Sequence, residues 1–457
     1  MVIVTTLLVI FVSVVLKVGY DTISCYWLTP MRIRKMMKKQ GVHGPKPSFL
    51  IGNITEMTSL VSRAVSQDMK TISHDIVARI LPHFVVWSNQ YVCVERILSY
   101  FLESLRGKKY RIERRPCNRE VVDVDTRRKT HRRYNSMSGK SWQQQQGTKH
   151  FIGKGLLMAN GKDWQYQRHM VAPAFMGERL KLQTRCAQAT RHLFLPGSSK
   201  YNREIKSLKM EVEKLLMEMI KGREDCVEKG RSNSYGNDLL CILLDEMKKE
   251  SGSLNIQLVM DECKTFFFAG HETTALLLTW TVMLLATNPH WQDKVRAEVK
   301  HIFKGETPSL DKLSKLTLLQ MVINEAMRLY PPATVLPRMV FEDIELGDLH
   351  IPKGLSIWIP VLAIHHSEEL WGEDANEFNP ERFASKSFIS GRFIPFGSGP
   401  RNCVGQSFAM MEAKIILAMF ISQFSFTISQ SYKHAPVLLL TIKPKYGVQV
   451  CLKHLDP

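Results

Sequence analysis

One cysteine in this sequence stands in a setting that could do chemistry. Cys403 lies in the glycine-rich segment FIPFGSGPRNCVG, residues 393–405, directly before a stretch with apolar residues at helical spacing. A turn of this kind aims backbone N–H groups at the residue in front of the helix, which lowers a thiol pKa and favours thiolate. The glycines let the backbone approach a flat cofactor closely, and Arg401 can pair with a carboxylate. The segment therefore predicts a reactive or metal-binding thiolate, although a lone cysteine at a helix start is more often structural.

A second group of polar residues interrupts an apolar helix. The string AGHETT, residues 269–274, lies inside the apolar stretch 258–287. Glycine costs about 1 kcal/mol within a helix, and threonine can bond to the carbonyl oxygen four residues earlier. A local exception of this kind indicates function. The alternative is a helix with a tolerated polar notch.

Together these strings resemble the cytochrome P-450 superfamily. Residues 396–405 match its haem-binding loop FxxGxRxCxG at all five fixed positions. The resemblance implies that Cys403 is the axial sulfur ligand of a haem b (iron protoporphyrin IX). It also implies that Phe396, Gly399 and Arg401 belong to the cofactor site.

The resemblance implies roles for two further motifs. Glu272 and Thr273 would relay protons to the dioxygen bound at the haem. Glu325 and Arg328, three residues apart on one helix face, would join Arg382 of the string PERF in a buried network behind the haem. Without the resemblance, the Glu325–Arg328 pair would read as an ordinary surface ion pair.

Cationic residues are also needed for the two haem propionates. Trp164 and Arg168 are four residues apart, as in the WxxxR string of the superfamily, and Arg338 stands where many members place another propionate-binding arginine. Arginine suits bidentate recognition of carboxylates. With Arg401, these residues form the expected propionate-binding set.

The elements that must position these residues are mostly helical. Helical spacing of apolar residues is found at 207–223, 258–287, 291–303, 316–329 and 406–424, and β-branched runs at 343–352, 356–360 and 437–450 predict strands. The fold class is therefore mainly α with small β-sheets. The resemblance implies a cytochrome P-450 fold, incomplete in its substrate half, behind an N-terminal transmembrane helix.

The N-terminus predicts a membrane anchor. Residues 2–20 carry a single charge, Lys17, and 19 helical residues at about 1.5 Å each reach the thickness of the hydrocarbon core. Basic residues follow at 31–39, which predicts a single-pass protein with its body in the cytosol. A cleaved signal peptide is the alternative, but no basic residue precedes the apolar run. We expect an anchor at 1–30, a basic, proline-rich hinge at 31–47 and one monooxygenase domain at 48–457, and the resemblance implies the endoplasmic reticulum membrane.

The net charge of +19 favours an anionic partner. The basic residues do not follow one helix, and no zinc-finger or RNA-binding string is present, so we expect no nucleic-acid partner. A membrane surface or an acidic redox partner accounts for the charge equally well. The nine cysteines contain no CxxC pair, which argues against a zinc site or a disulfide framework and fits a reducing compartment.

The expected chemistry follows from the ligand. A thiolate favours cleavage of the O–O bond, so we expect insertion of one oxygen atom of O2 into a C–H bond of a small-molecule substrate. No dinucleotide-binding fingerprint is present, and the resemblance implies electrons from a separate NADPH-cytochrome reductase. Strings such as FFFAGHETTALLLTWT resemble the plant cytokinin trans-hydroxylases, which hydroxylate the isopentenyl side chain of isopentenyladenine nucleotides.

Two segments depart from the superfamily pattern. Residues 106–133 carry twelve Lys or Arg against four acids, where the superfamily has strands and a short helix. Near 180–190 one helical region passes straight into another, so we expect an irregular region at 93–138 and a deletion near 180–190. Two alternatives stay open: a haem-thiolate isomerase or dehydratase, whose members generally lack the pair Glu272 and Thr273, and a catalytically inactive truncated isoform.

Overall fold

The structure is a computed structural model. It describes residues 2–49, 51–91, 138–140, 152–175, 199–229, 235, 238–249, 254–306, 308–346, 349–384 and 391–455. The basic run at 106–133 and the junction at 180–190 lie outside the described residues, so the domain boundaries expected around them stay predictions.

The N-terminus forms one continuous helical rod. Helix α1 (Val2–Ile23) passes through a π-helical turn, Ser24–Leu28, into α2 (Thr29–Lys39). The stretch Ile3–Lys39 has a mean hydropathy of 2.3 in its most apolar window, and none of that window is buried. By length and composition it can cross a membrane, as expected for an anchor.

The remaining described helices, in chain order, are α3 (Ile54–Val65), α4 (Val77–Ile80), α5 (Pro82–Gln90), α6 (Gly161–Val171), α7 (Ser199–Glu228), α8 (Leu239–Met247), α9 (Ile256–Thr287), α10 (Pro289–Phe303), α11 (Thr317–Leu329), α12 (Val361–His365), α13 (Glu368–Trp371) and α14 (Gln406–Gln423). Short 3-10 helices lie at Ala172–Phe175, Leu310–Lys315, Pro380–Phe383 and Gly399–Arg401.

Local signals set the ends of the long helices. The side chain of Asn255 accepts a hydrogen bond from the N–H of Leu258 and so caps the start of α9. Pro289 begins α10, where its missing N–H costs nothing, and Lys304 ends that helix in the left-handed conformation ahead of Gly305. The central helix α9 is thereby fixed in its start and α10 in both its ends.

The described strands are β1 (Ser138–Gly139), β2 (Leu336–Val340), β3 (Ile344–Leu346), β4 (Leu349–Ile351), β5 (Ser356–Ile359), β6 (Phe424–Ile428), β7 (Pro436–Leu438), β8 (Ile442–Pro444) and β9 (Val450–His454). All pairings between them are antiparallel. They form a three-stranded sheet in the order β1-β2-β5 and three two-stranded sheets, β3-β4, β6-β9 and β7-β8. The mainly helical fold class with small sheets is confirmed.

The main apolar core lies between α9, α10, α11 and α14. Trp280, Val295, Val322 and Leu417 contribute one side chain from each helix, and all four are at most 1% exposed. Full burial of such a side chain stabilises the fold by about 1.5–3 kcal/mol. This core holds the central helix α9 against α14, which follows the cysteine loop.

Candidate active site

The cysteine loop is a sequence of tight turns that ends at α14. The N–H of Cys403 donates to the carbonyl oxygen of Phe396 at 2.8 Å, which closes the loop between these two residues. Gly397 and Gly399 have φ values of +71° and +75°, a region that other residues enter only with strain. A Cβ atom at Gly405 would lie 4.0 Å from the Cys403 Sγ. Gly397 and Gly399 therefore serve the turns, whereas a Cβ at Gly405 would be in ordinary van der Waals contact with the sulfur.

The surroundings of the Cys403 thiol act on its pKa in opposite directions. Part of the Cys403 surface is exposed, but desolvation by the surrounding protein atoms raises the pKa of its thiol. The N–H of Gly405 and the charge of Arg168 oppose the increase. The net direction is upward, so the pKa decrease predicted from the helix start is wrong for the thiol without a metal ion. Coordination to a metal would deprotonate it outright.

Aromatic rings connect the cysteine loop to the central helix. Phe175 lies 3.9 Å from a Cβ position at Gly405 and stacks on Phe266 of α9 with ring centroids 5.1 Å apart. Phe175 also meets Phe408 of α14 edge-on at 6.4 Å. Phe266 lies two helical turns before Thr273, on the same side of α9. The stack therefore holds one face of α9 against the cysteine loop. This face carries Thr273 of the predicted proton relay.

Three cations lie close together near the loop. Burial and the charges of Arg338 and Arg401 lower the pKa of Lys140 to about 8. Burial and the charge of Arg338 likewise lower the pKa of Arg401 to about 10. Arg338 itself is 6% exposed. Mutual repulsion of buried cations is relieved by a bound anion, so this cluster suits a carboxylate-bearing ligand.

Asn160 organises the same cluster. Its side chain accepts from the backbone N–H of Lys140 at 2.8 Å and donates to the carbonyl oxygen of that residue at 2.9 Å. The Arg401 guanidinium donates to the Ala159 carbonyl oxygen and to the Asn160 Oδ1, at 3.1 and 3.3 Å. Lys140 and Asn160 are not predicted from the sequence, because the pairing of β1 with β2 brings residues 138–140 to this place.

Trp164 and Arg168, both on α6, occupy different positions. Trp164 lies under Arg401, whose guanidinium carbon is 4.5 Å from the centre of the ring, in a cation–π contact. Arg168 donates to the Asn402 carbonyl oxygen at 2.8 Å and to the Asn402 side-chain oxygen at 3.0 Å. The structure thus places Arg168 beside the cysteine, with its charge favouring the Cys403 thiolate, and its predicted propionate contact stays a prediction.

The polar notch of α9 keeps helical geometry. The Thr273 hydroxyl donates to the Ala269 carbonyl oxygen at 2.6 Å, the bond four residues back that the sequence allows. A Cβ atom at Gly270 would meet no other atom within 4 Å, so open space lies beside the helix there. The Glu272 carboxylate points to β8 and its preceding turn. His271 is exposed and stacks on Phe267 with ring centroids 5.7 Å apart.

The predicted network of Glu325, Arg328 and Arg382 is assembled and buried. Arg328 donates from Nε and Nη2 to the two Glu325 oxygens, each at 2.7 Å, and both side chains are 0% exposed. The remaining Arg328 donors reach the carbonyl oxygens of residues 365, 375 and 377. The Arg382 Nε lies 3.4 Å from a Glu325 oxygen, and its other nitrogens bind Asp374. The role of this network as a support for the haem side stays a prediction.

A buried acid that the sequence does not predict as functional lies about two turns before the polar notch at 269–274. Glu262 on α9 is 0% exposed, and both of its oxygens accept from the N–H of Leu156, at 3.0 and 3.1 Å. Burial raises the pKa of Glu262 to about 7. The neighbouring Gly155 packs so closely that an added Cβ would lie 2.1 Å from the Thr265 hydroxyl oxygen. The loop that leads into α6 is therefore clamped to the central helix.

The donor set at this site fits a haem. The Cys403 thiol lies in a loop with two positive-φ glycines, and its sulfur could coordinate the iron of a haem bound there. The cations Lys140, Arg338 and Arg401, of which Arg338 is buried and the other two are half-buried, suit its two propionates. Bound there, a thiolate-ligated haem would supply the activation of O2.

Comparisons with known proteins agree with this assignment. The family model described as Cytochrome P-450 matches residues 189–452. Two proteins named Cytokinin hydroxylase, both from Arabidopsis thaliana, are 55% and 53% identical to this chain, and each alignment covers 98% of both sequences.

Proposed function

Since this chain belongs to the cytochrome P-450 family and is a monooxygenase, we propose that it hydroxylates the isopentenyl side chain of isopentenyladenine-type cytokinin nucleotides. The observation that carries the substrate class is the identity of 55% and 53%, over nearly the whole chain, to two cytokinin hydroxylases. The nucleotide form of the substrate rests on the resemblance of the sequence to the trans-hydroxylases. The product would be the trans-zeatin nucleotide.

In the proposed monooxygenase reaction, separate groups of the described residues would hold the haem and relay protons. Cys403 would hold the haem b iron, and Arg338 and Arg401 would hold the propionates together with Lys140. Glu272 and Thr273 would relay protons along α9, from the Glu272 carboxylate to the Thr273 hydroxyl. The open space beside Gly270 leaves room for a small molecule next to this hydroxyl. The overall reaction is RH + O2 + NADPH + H+ → ROH + H2O + NADP+.

The partners follow from the family and from the charge. A monooxygenase of this family receives its electrons from a reductase, and we propose the membrane-bound NADPH-cytochrome reductase as the donor. Its acidic surface would meet a chain with a net charge of +19. The apolar stretch Ile3–Lys39 would anchor the protein in the endoplasmic reticulum membrane with the catalytic domain in the cytosol.

We also propose that segments present in the relatives are missing from this chain. The alignments run over 527 and 519 positions, whereas the chain has 457 residues, so they contain gaps on the side of this chain. On α7, exposed apolar residues recur at spacings of four, three and four: Leu208, Val212, Leu215 and Met219. Such a stripe normally packs against another helix, which supports the proposal that neighbouring scaffold is shortened.

The test of the proposed function is a reconstituted assay. The purified protein is combined with reductase, NADPH and either isopentenyladenosine monophosphate or free isopentenyladenine, and product is identified by mass and retention time. We expect hydroxylated product from the nucleotide in larger yield than from the free base. Equal yields would contradict the nucleotide preference. A protein that consumes NADPH but hydroxylates neither compound would contradict the cytokinin assignment.

A further inference from the structure

The Glu272 carboxylate is held by residues far away in the sequence. Lys443 on β8 places its Nζ 2.5 Å from the Glu272 Oε1, and the Thr441 hydroxyl donates to the same oxygen at 2.9 Å. Thr441, at the end of the turn before β8, and Lys443, within β8, are on either side of Ile442. Both therefore converge on one atom of the predicted proton-relay acid.

The segment that carries these two residues is itself fixed to the core. The indole N–H of Trp280 on α9 donates to the Ile442 carbonyl oxygen at 3.1 Å. The N–H of Ile442 donates to the carbonyl oxygen of Pro332, and Ile442 is 0% exposed. Because Ile442 lies between Thr441 and Lys443, both donors are held in place relative to α9. The contacts to Glu272 are thus built on a rigid support.

The two donors differ in their contact with water. Thr441 is 5% exposed, whereas the side chains of Lys443 and Glu272 are 34% and 24% exposed. A half-exposed ion pair of this kind contributes little to stability, about 0–1 kcal/mol. The cation and the hydroxyl contact the same oxygen, and together they restrict the rotation of the Glu272 carboxylate. This restriction indicates a role in orienting Glu272.

We propose that Thr441 and Lys443 are positioning residues that orient the Glu272 carboxylate for proton transfer along α9. The proposal deepens the proposed function and rests on it. When Glu272 is oriented, both protons are delivered and the reaction RH + O2 + NADPH + H+ → ROH + H2O + NADP+ runs to product. When it is not, the same two electrons leave with O2 in the reaction O2 + NADPH + H+ → H2O2 + NADP+.

The test compares Lys443→Met with Lys443→Arg and with the matched control Lys445→Met. Lys445 lies two residues further along the chain and pairs with Asp68 at 3.1 Å, away from Glu272. Product, peroxide and NADPH consumption are measured together. We expect Lys443→Met to lower the ratio of product to NADPH about three- to tenfold, part of the roughly 10²-fold that a positioned proton donor contributes. Lys443→Arg and Lys445→Met should stay near the wild-type ratio.

A second measurement needs no turnover. A double-mutant cycle of Glu272→Gln and Lys443→Met in urea unfolding should give a coupling of about fivefold in the unfolding equilibrium constant, and Lys445→Met with Glu272→Gln should give none. Wild-type ratios for Lys443→Met, or an equal loss in Lys445→Met, would overturn the positioning role. A wild-type protein that forms no product would overturn the proposed function. In that case the double-mutant cycle would still test whether Lys443 holds Glu272.

Discussion

Glu262 provides a quantitative test of how the loop before α6 is clamped to the central helix. The group is fully buried, and its two oxygens share one backbone donor, the N–H of Leu156. Burial therefore raises its pKa from 4.5 to about 7. Each pKa unit corresponds to about 1.4 kcal/mol, so ionising Glu262 in the folded protein costs about 3 kcal/mol of unfolding free energy. The Glu262→Gln variant keeps the size of the side chain and cannot ionise.

The sign of the effect follows from proton binding. Between pH 4.5 and about 7 the folded protein binds the Glu262 proton more tightly than the unfolded chain does, so the stabilising contribution of this group is complete below pH 4.5. It is lost as the pH rises through 7. Three histidines have the opposite effect in an overlapping range, because desolvation lowers their pKa values to about 3, 3 and 4: the half-buried His74 and the buried His365 and His434. These histidines contribute equally to the unfolding free energies of wild type and Glu262→Gln, so their contribution cancels in the difference between the two proteins.

The assay is urea unfolding of wild type and Glu262→Gln at several pH values from 4.5 to 8. We expect the variant to gain about 3 kcal/mol relative to wild type across this range, with most of the change between pH 5 and 7. Glu369→Gln, which alters an exposed acid on α13, is the control and should track the wild type. A difference that stays constant with pH would show that Glu262 ionises at its ordinary pKa, and the argument from burial would be wrong.

Three further predictions concern packing, the buried network and the anchor. Gly155→Ala should lose about 1–3 kcal/mol of unfolding free energy because its Cβ would overlap the Thr265 hydroxyl, whereas Gly222→Ala on α7 meets open space and should gain about 0.5–1 kcal/mol; equal effects would refute the packing argument. Arg328→Met should cost about 3–5 kcal/mol by leaving the Glu325 carboxylate buried without its main partner, and an unfolding midpoint like that of wild type would contradict this. Deletion of residues 1–30 should release much of the protein from membranes on fractionation, while secondary apolar contacts keep a part bound; the anchor assignment fails if detergent is still required to extract all of it.

The sequence predicts the long helices well because their signals are local. The spacing of apolar residues places α9, α10, α11 and α14 to within two residues of their observed ends. Helix α7 extends beyond the expected 207–223 to Ser199–Glu228, because its charged ends lack a break in helix propensity. The pair Glu325–Arg328 also follows from local spacing, although its complete burial does not.

The features that the sequence does not predict depend on distant contacts. Lys140 reaches Arg338 and Arg401 only through the pairing of β1 with β2, and Lys443 reaches Glu272 across 171 residues of chain. The predicted decrease in the Cys403 pKa is wrong, because desolvation raises the pKa more than the Gly405 N–H and Arg168 lower it. The local sequence predicts where the helix after Cys403 starts. The desolvation of Cys403 depends instead on elements that are distant in the sequence and pack around it.

The central claim is that Cys403 is the thiolate ligand of a haem. The most direct measurement is the reduced-CO difference spectrum of the purified wild type beside Cys403→Ser and Cys263→Ser. Cys263 is the matched control because it lies within α9, and burial raises its pKa to about 12. We expect the Soret band characteristic of thiolate ligation in the wild type and in Cys263→Ser, and its loss in Cys403→Ser. An unchanged band in Cys403→Ser would contradict the assignment of the ligand and the account built on it.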